Sequence, residues 1–279
     1  MQFFTASDGA RIAYRDEGAG TALVLLHGLL AHGGFFRGQA PLAKTHRLIT
    51  IDLRGHGESP ANGRAPSVER IAADVGELVA ALDLQGAIGV GWSLGATALW
   101  QVLAGSQGNR FAGAVVIDMT ARVLNDGNWS LGLTPEACAA RRVAIRDDFH
   151  AFATNAGEAI FAQPVRAEHR DLAAWAGAEF ARSDPAAMAA VWDSLVEQDM
   201  RAALPRLKQP TLIVHGGESQ LYGDGTAAHL VASLPFARSE RFDRCGHAPH
   251  LEEPERFNQL LSDFAARLSR ASTPQATVS

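Results

Sequence analysis

The stretch that most constrains the fold is Gly91-Trp92-Ser93-Leu94-Gly95, because of what lies on either side of it. The apolar run Ala87-Ile88-Gly89-Val90 reads as a buried strand leading in, and Ala96 to Leu103 reads as a helix leading out. A serine on so sharp a strand-to-helix turn is held in a strained backbone with its hydroxyl lifted clear of the sheet. Glycines two residues before and after it are needed, because a Cβ at either place would collide across the turn. Ser93 is therefore the candidate nucleophile.

The rest of the chain supplies a scaffold for that turn. Residues 3 to 17 read as a hairpin turning at Ser7-Asp8-Gly9. Thr21 to Leu26, Arg47 to Leu53 and Ala112 to Ile117 are short continuous apolar runs, the pattern of strands buried on both faces of a parallel sheet. Between them, Ser67 is placed to cap a helix whose apolar positions Ile71, Val75, Leu78, Val79 and Leu82 recur at helical spacing. Alternating strand and helix predict an α/β fold, a mostly parallel sheet with helices on both faces. Ligands of such sheets bind beyond the carboxyl ends of the strands, where His27, Asp52, Ser93 and Asp118 all fall.

From 120 to 205 the character changes to an Ala-, Arg- and Glu-rich segment of helical periodicity. Its aromatics, Phe149, Phe152, Phe161, Trp175, Phe180 and Trp192 among them, are expected mainly to pack the segment, with a few facing a ligand. Strand pattern resumes at Thr211 to Val214, followed by a helix near 226 to 234, a strand at 237 to 242 and a last helix from Pro254 to about Leu268. The expected organisation is a core in two parts, 1–119 and 206–270, a helical cap at 120–205 and a disordered tail at 271–279.

Composition narrows the function. Of 279 residues, 47% are hydrophobic and 20% charged, as in ordinary globular proteins. A net charge of −5 argues against nucleic-acid or anionic-membrane partners. No secretory signal pattern opens the chain and no apolar run approaches a membrane span, so the expected location is cytoplasmic. Cys138 and Cys245 fit a reducing compartment and are not needed by the chemistry. Oligomeric state is not readable.

Four stretches in order, His27-Gly28, Asp52-Leu53-Arg54-Gly55-His56-Gly57-Glu58-Ser59, Gly91 to Gly95 and Gly246-His247, together resemble the α/β-hydrolase superfamily, more narrowly its small serine esterases with a helical cap. The resemblance spans nearly the whole chain. It implies an eight-stranded sheet, a Ser-acid-His triad, a helical cap insertion and no metal or organic cofactor. A serine hydroxyl needs an adjacent base, and His247, on a loop before the last helix and last in chain order, is the candidate. Two backbone N–H groups, those of Leu29 and Leu94, are expected to hold the oxyanion. His250 is expected to be supporting or exposed, and His56 and His215 structural.

The acid departs from the pattern. The resemblance places an aspartate in the loop His215 to Gln220, where Ser219 and Gln220 stand and Glu218 is the only carboxylate. Asp118, at the end of the preceding strand, is preferred because adjacent strand ends lie only ~4.8 Å apart. Glu218 is the alternative and Asp224 the third choice. Asp52, which precedes the nucleophile, is assigned to a structural turn.

The expected function is hydrolysis of a carboxylic ester or lactone of a small, largely apolar molecule through an acyl-enzyme. An aspartate at position 93 would instead have implied a dehalogenase or epoxide hydrolase. A cofactor-free lyase or C–C bond hydrolase on the same triad, and a slow or inactive small-ligand binding protein, are the competing readings, which fold alone does not separate.

Overall fold

The computed structural model describes residues 1–272. Among these, eight strands form one sheet: β1 (Gln2–Thr5), β2 (Arg11–Gly18), β3 (Ala22–Leu26), β4 (Arg47–Ile51), β5 (Ala87–Trp92), β6 (Phe111–Ile117), β7 (Thr211–Gly216) and β8 (Ala237–Phe242). Their spatial order is β1-β2-β4-β3-β5-β6-β7-β8. The first two pairings, β1 with β2 and β2 with β4, are antiparallel, and all the others are parallel. Every residue of β3, β5 and β7 is buried, in keeping with their mainly apolar runs, whereas the edge strand β1 is mostly exposed and the edge strand β8 mostly half-buried or exposed.

The helices cover both faces. α1 (Val68–Ala81) is capped by the Ser67 hydroxyl, which accepts the Arg70 N–H at 3.3 Å, and packs beside α2 (Leu94–Ala104). Leu99 of α2 lies over Gly89, whereas Phe264 and Leu268 of the last helix lie over Gly113. Gly89 is paired with Ala114, so Gly113 faces the opposite side of the sheet and the two helices sandwich it.

Between β6 and β7 the chain makes four helices, α3 (Pro135–Asp147), α4 (Phe149–Ala159), α5 (Arg170–Phe180) and α6 (Pro185–Glu197). Thr134 and Asp184 cap α3 and α6, each followed by a proline whose missing N–H costs nothing at a first helical position. α4 and α5 pack together, α3 packs on α6, and the group sits over the carboxyl ends of the strands. Phe35 ties it to the core. Its ring lies 5.0 Å from Phe180 and 4.6 Å from Trp175 of α5, and 6.0 Å from Trp92 at the end of β5.

After β7 come α7 (Asp224–Ser233), then β8, a four-residue α8 (Pro249–Glu252) and α9 (Pro254–Ser272). Phe257, Leu261, Phe264 and Ala265 form the buried stripe of α9. Two details differ from the sequence reading. A 3-10 segment at Gly33–Lys44, rich in glycine and interrupted by Pro41, was not expected. α9 also continues to Ser272, so Ala271 and Ser272, expected in the disordered tail, are helical, because nothing stops the helix after Leu268. The remainder of that tail, 273–279, lies outside the described residues.

Candidate active site

The chain reverses direction along the sheet between β3 and β5: β4 lies to one side of β3, and every later strand lies to the other. Such a switch point opens a crevice beyond the strand ends. The loop Gly28-Leu29-Leu30 leaves β3 on one side of it, and Ser93 leaves β5 on the other.

Ser93 has φ 53° and ψ −118°, a conformation that costs a non-glycine residue free energy and persists only where its surroundings enforce it. A Cβ on Gly91 would lie 2.6 Å from the Gly95 carbonyl oxygen, and one on Gly95 would lie 2.1 Å from that of Leu26. Both glycines are therefore required. From residue 87 to residue 100, Ser93 alone is not fully buried. Leu94 is the first residue of α2, so its N–H has no carbonyl partner within the helix and faces outward from the positive end of the dipole.

His247 and Asp118 meet. The His247 Nδ1 lies 2.6 Å from Asp118 Oδ2, with both side chains buried. A carboxylate only accepts, so Nδ1 carries the proton and Nε2 is left with its lone pair. Ser93, Gly28, Leu29 and His247 all line one cavity of about 560 Å³ beneath α3, α4 and α5. Trp92 Nε1 donates to the His247 carbonyl at 2.9 Å, fixing the histidine loop to β5. Asp118 itself has φ 43°, in a region that aspartate tolerates better than most residues, and its N–H continues the ladder to Val214 O at 2.8 Å.

The other two candidate acids lie elsewhere. Glu218 pairs with Arg166 at 2.7 Å, and Asp224 pairs with Arg241 at 3.0 Å and His215 at 3.2 Å. Ser219, in the loop where the resemblance calls for an aspartate, has a different task. Its Oγ accepts the N–H groups of Leu221 and Tyr222 at 3.3 Å each and donates to Asp118 Oδ2 at 2.7 Å. That oxygen thus receives two hydrogen bonds, while Asp118 Oδ1 is buried with no partner among the described residues.

The surrounding histidines are neutral props. His27 uses Nδ1 on the Gly28 carbonyl at 2.8 Å and accepts the Leu53 N–H on Nε2 at 2.9 Å, which holds the loop carrying Leu29. Burial, together with His56, pulls its pKa well below the ordinary value. His56 is lowered to about 4 and His250 to about 3, in each case chiefly by burial. His250 is completely buried against Trp92, Phe36 and Phe257 rather than exposed.

Glu252 escaped the sequence reading. Its carboxylate accepts Gly246 N–H at 2.6 Å and Ala162 N–H at 3.1 Å, tying the histidine loop to the inserted helices. Burial raises its pKa to about 7. Only the tertiary fold brings 162, 246 and 252 together, so no local pattern could have found it. Cys245 is free and buried, its thiol pushed up by burial, which leaves it unreactive.

A strained serine at a switch point, a histidine and a buried carboxylate on one rim define a class of hydrolases. The chain belongs to the alpha/beta hydrolase family, whose model matches residues 23–260, and it is an enzyme of the hydrolase class. It is 30% identical over 250 residues to a pimeloyl-[acyl-carrier protein] methyl ester esterase of Aeromonas hydrophila, an alignment covering 88% of this chain and 96% of that protein. Among solved structures it is similar to the esterase RhEst1 of a Rhodococcus species (26% identity, TM-score 0.82, covering 96% of this chain and 98% of that one). In fold it matches the esterase EaEST of Exiguobacterium antarcticum (24% identity, TM-score 0.89, covering 95% and 98%).

Proposed function

We propose that the protein is a serine carboxylic-ester hydrolase, with Ser93 as nucleophile, His247 as base and Asp118 as the acid that orients it. The observation that carries this reading is the 2.6 Å bond between Asp118 and His247 beside a cavity that Ser93 also lines. In the proposed cycle His247 Nε2 takes the Ser93 proton as Oγ bonds to the ester carbonyl carbon. The N–H groups of Leu29 and Leu94 hold the resulting oxyanion. The C–O bond to the alcohol breaks, and His247 hands its proton to the departing oxygen. Water then attacks the acyl-enzyme, losing a proton to His247, which returns it to Ser93 as the acid leaves.

The helices between β6 and β7 act as a cap. Phe152 and Ile160 of that segment line the cavity beside Phe180, which supports a largely apolar acyl or alcohol group. The esterases to which the chain is similar support an ester rather than a C–C bond as the substrate linkage. Free, buried Cys138 and Cys245 are in keeping with a reducing, cytoplasmic location. Among the described residues no helix is long and apolar enough to cross a membrane.

The test is hydrolysis of p-nitrophenyl esters of graded acyl length by wild type and Ser93→Ala, with mass spectrometry after exposure to a fluorophosphonate. Wild type is expected to turn over and to gain one covalent adduct on the Ser93 peptide, and the variant to do neither. Undiminished hydrolysis by Ser93→Ala, or an adduct elsewhere, would overturn the assignment.

A further inference from the structure

The cavity above Ser93 is apolar over most of its wall, yet α3 contributes an arginine, Arg141, to that wall. Three arginines of that helix are instructive together. Arg142 and Arg146 share one carboxylate, Asp193, at 2.5 and 2.8 Å. Arg141 lines the cavity with Ser93 and His247 and has no carboxylate within 4 Å among the described residues. Its guanidinium lies 5.0 Å over the Trp192 ring, which holds it in place without neutralising it.

The titratable groups nearest Arg141 do not compensate it. Tyr222 and Cys138 both have their pKa values raised by burial, so both are neutral at ordinary pH. Partial burial lowers the Arg141 pKa. Asp148 also lines the cavity, but it sits two helical turns, about 10 Å, further along the axis. There it caps α4, accepting the Ala151 N–H at 3.4 Å. A partly desolvated cation with no carboxylate partner on a mostly apolar wall favours the entry of an anion.

We propose that Arg141 is the specificity-determining residue of this site and binds an ionised carboxylate carried by the substrate. The substrate class is then an ester or lactone bearing a second, free carboxylate, such as a half-ester of a dicarboxylic acid. Arginine suits the task, since its planar fork matches a carboxylate with two parallel hydrogen bonds. The proposal deepens the ester-hydrolase reading and rests on it.

The experiment compares kcat/KM for methyl esters whose far end is a carboxylate with the same chains ending in a primary amide, which is neutral and of the same shape. A second series, acetyl esters of hydroxy acids, places the carboxylate on the alcohol side and tells which half of the substrate carries it. Wild type is expected to favour the carboxylate over the amide by about tenfold or more in one series. Arg141→Met should lose that preference while leaving amide-ended esters nearly unchanged, and Arg141→Lys should keep part of it. Equal rates on both ends in wild type, or equal loss on both in Arg141→Met, would make Arg141 a wall residue and overturn the proposal. Binding keeps the two readings apart. If wild type cleaves no ester, the hydrolase reading fails, but calorimetry of straight-chain dicarboxylates on Ser93→Ala still decides Arg141. Binding that disappears in Ser93→Ala/Arg141→Met supports it, and absent or unchanged binding refutes it.

Discussion

Replacing Asp118 by asparagine tests the acid assignment at a single atom. Asp118 Oδ2 receives the His247 Nδ1–H at 2.6 Å and the Ser219 hydroxyl at 2.7 Å, while Oδ1 is buried with no partner among the described residues. An amide fits neither way round. With its oxygen at the Oδ2 position, both donors are satisfied, but the NH2 group lies where Oδ1 was and stays buried and unpaired, at a cost of ~1–3 kcal/mol. The imidazolium also loses its counter-charge. With NH2 at the Oδ2 position, the amide faces Nδ1 as a donor, drives the histidine proton to Nε2 and removes the base. Ser219 resists that second arrangement, because its oxygen already accepts two N–H groups from Leu221 and Tyr222. Triads that lose their carboxylate in this way slow by about 10^4-fold, equivalent to ~5 kcal/mol of activation free energy. We expect Asp118→Asn to lower kcat by about 10^3- to 10^4-fold with KM little changed. Glu218→Gln, which only releases Arg166 at a half-exposed site, should stay within about threefold. The assay is steady-state hydrolysis of a p-nitrophenyl ester, with circular dichroism to show that both variants fold. A Glu218→Gln loss equal to or larger than that of Asp118→Asn would refute the reasoning.

Two further outcomes follow from the same loop. Ser219→Ala removes a charge-assisted bond to Asp118 and should cost about ten- to hundredfold in kcat. Placing the carboxylate one loop over, in Asp118→Asn/Ser219→Asp, should recover at least about tenfold over Asp118→Asn, measured on the same ester; a double variant no better than the single one would show that the loop cannot deliver an acid to His247. Glu252 predicts a pH effect of definite sign. Its folded pKa, about 7, lies above the ordinary 4.5, so the folded state holds the proton more tightly. Its contribution to stability is complete below about pH 4.5 and is lost as pH rises through 7. Chemical denaturation of wild type and Glu252→Gln between those limits should give a difference that narrows with rising pH, and a constant or widening difference would contradict the assignment.

How much of this was legible in the sequence depends on whether the constraint was local. The turn at Ser93 could be read because its steric demand and both flanking elements lie within about fifteen consecutive residues. The position of Asp118 could be read from its place at a strand end next to β7. The role of Ser219 could not, because a serine in a polar loop looks the same whether or not its hydroxyl reaches a carboxylate 101 residues away. Glu252 and Arg141 are of the same kind, since the surroundings that give each its character are set by elements far off in the chain. The 3-10 segment at Gly33–Lys44 escaped because its glycines and Pro41 read as loop, yet it carries Phe35, the ring on which the inserted helices rest.

Ser93 and Asp118 are also stitched into the sheet by their own main chains. The N–H of Ser93 donates to Ile117 O at 3.0 Å, and that of Asp118 to Val214 O at 2.8 Å, so β5, β6 and β7 are laced together at the rim. Amide protons there are expected to exchange with solvent only when the sheet itself comes apart. The spacing of Ser93 and Asp118 is thus set by the sheet itself rather than by the helices above it.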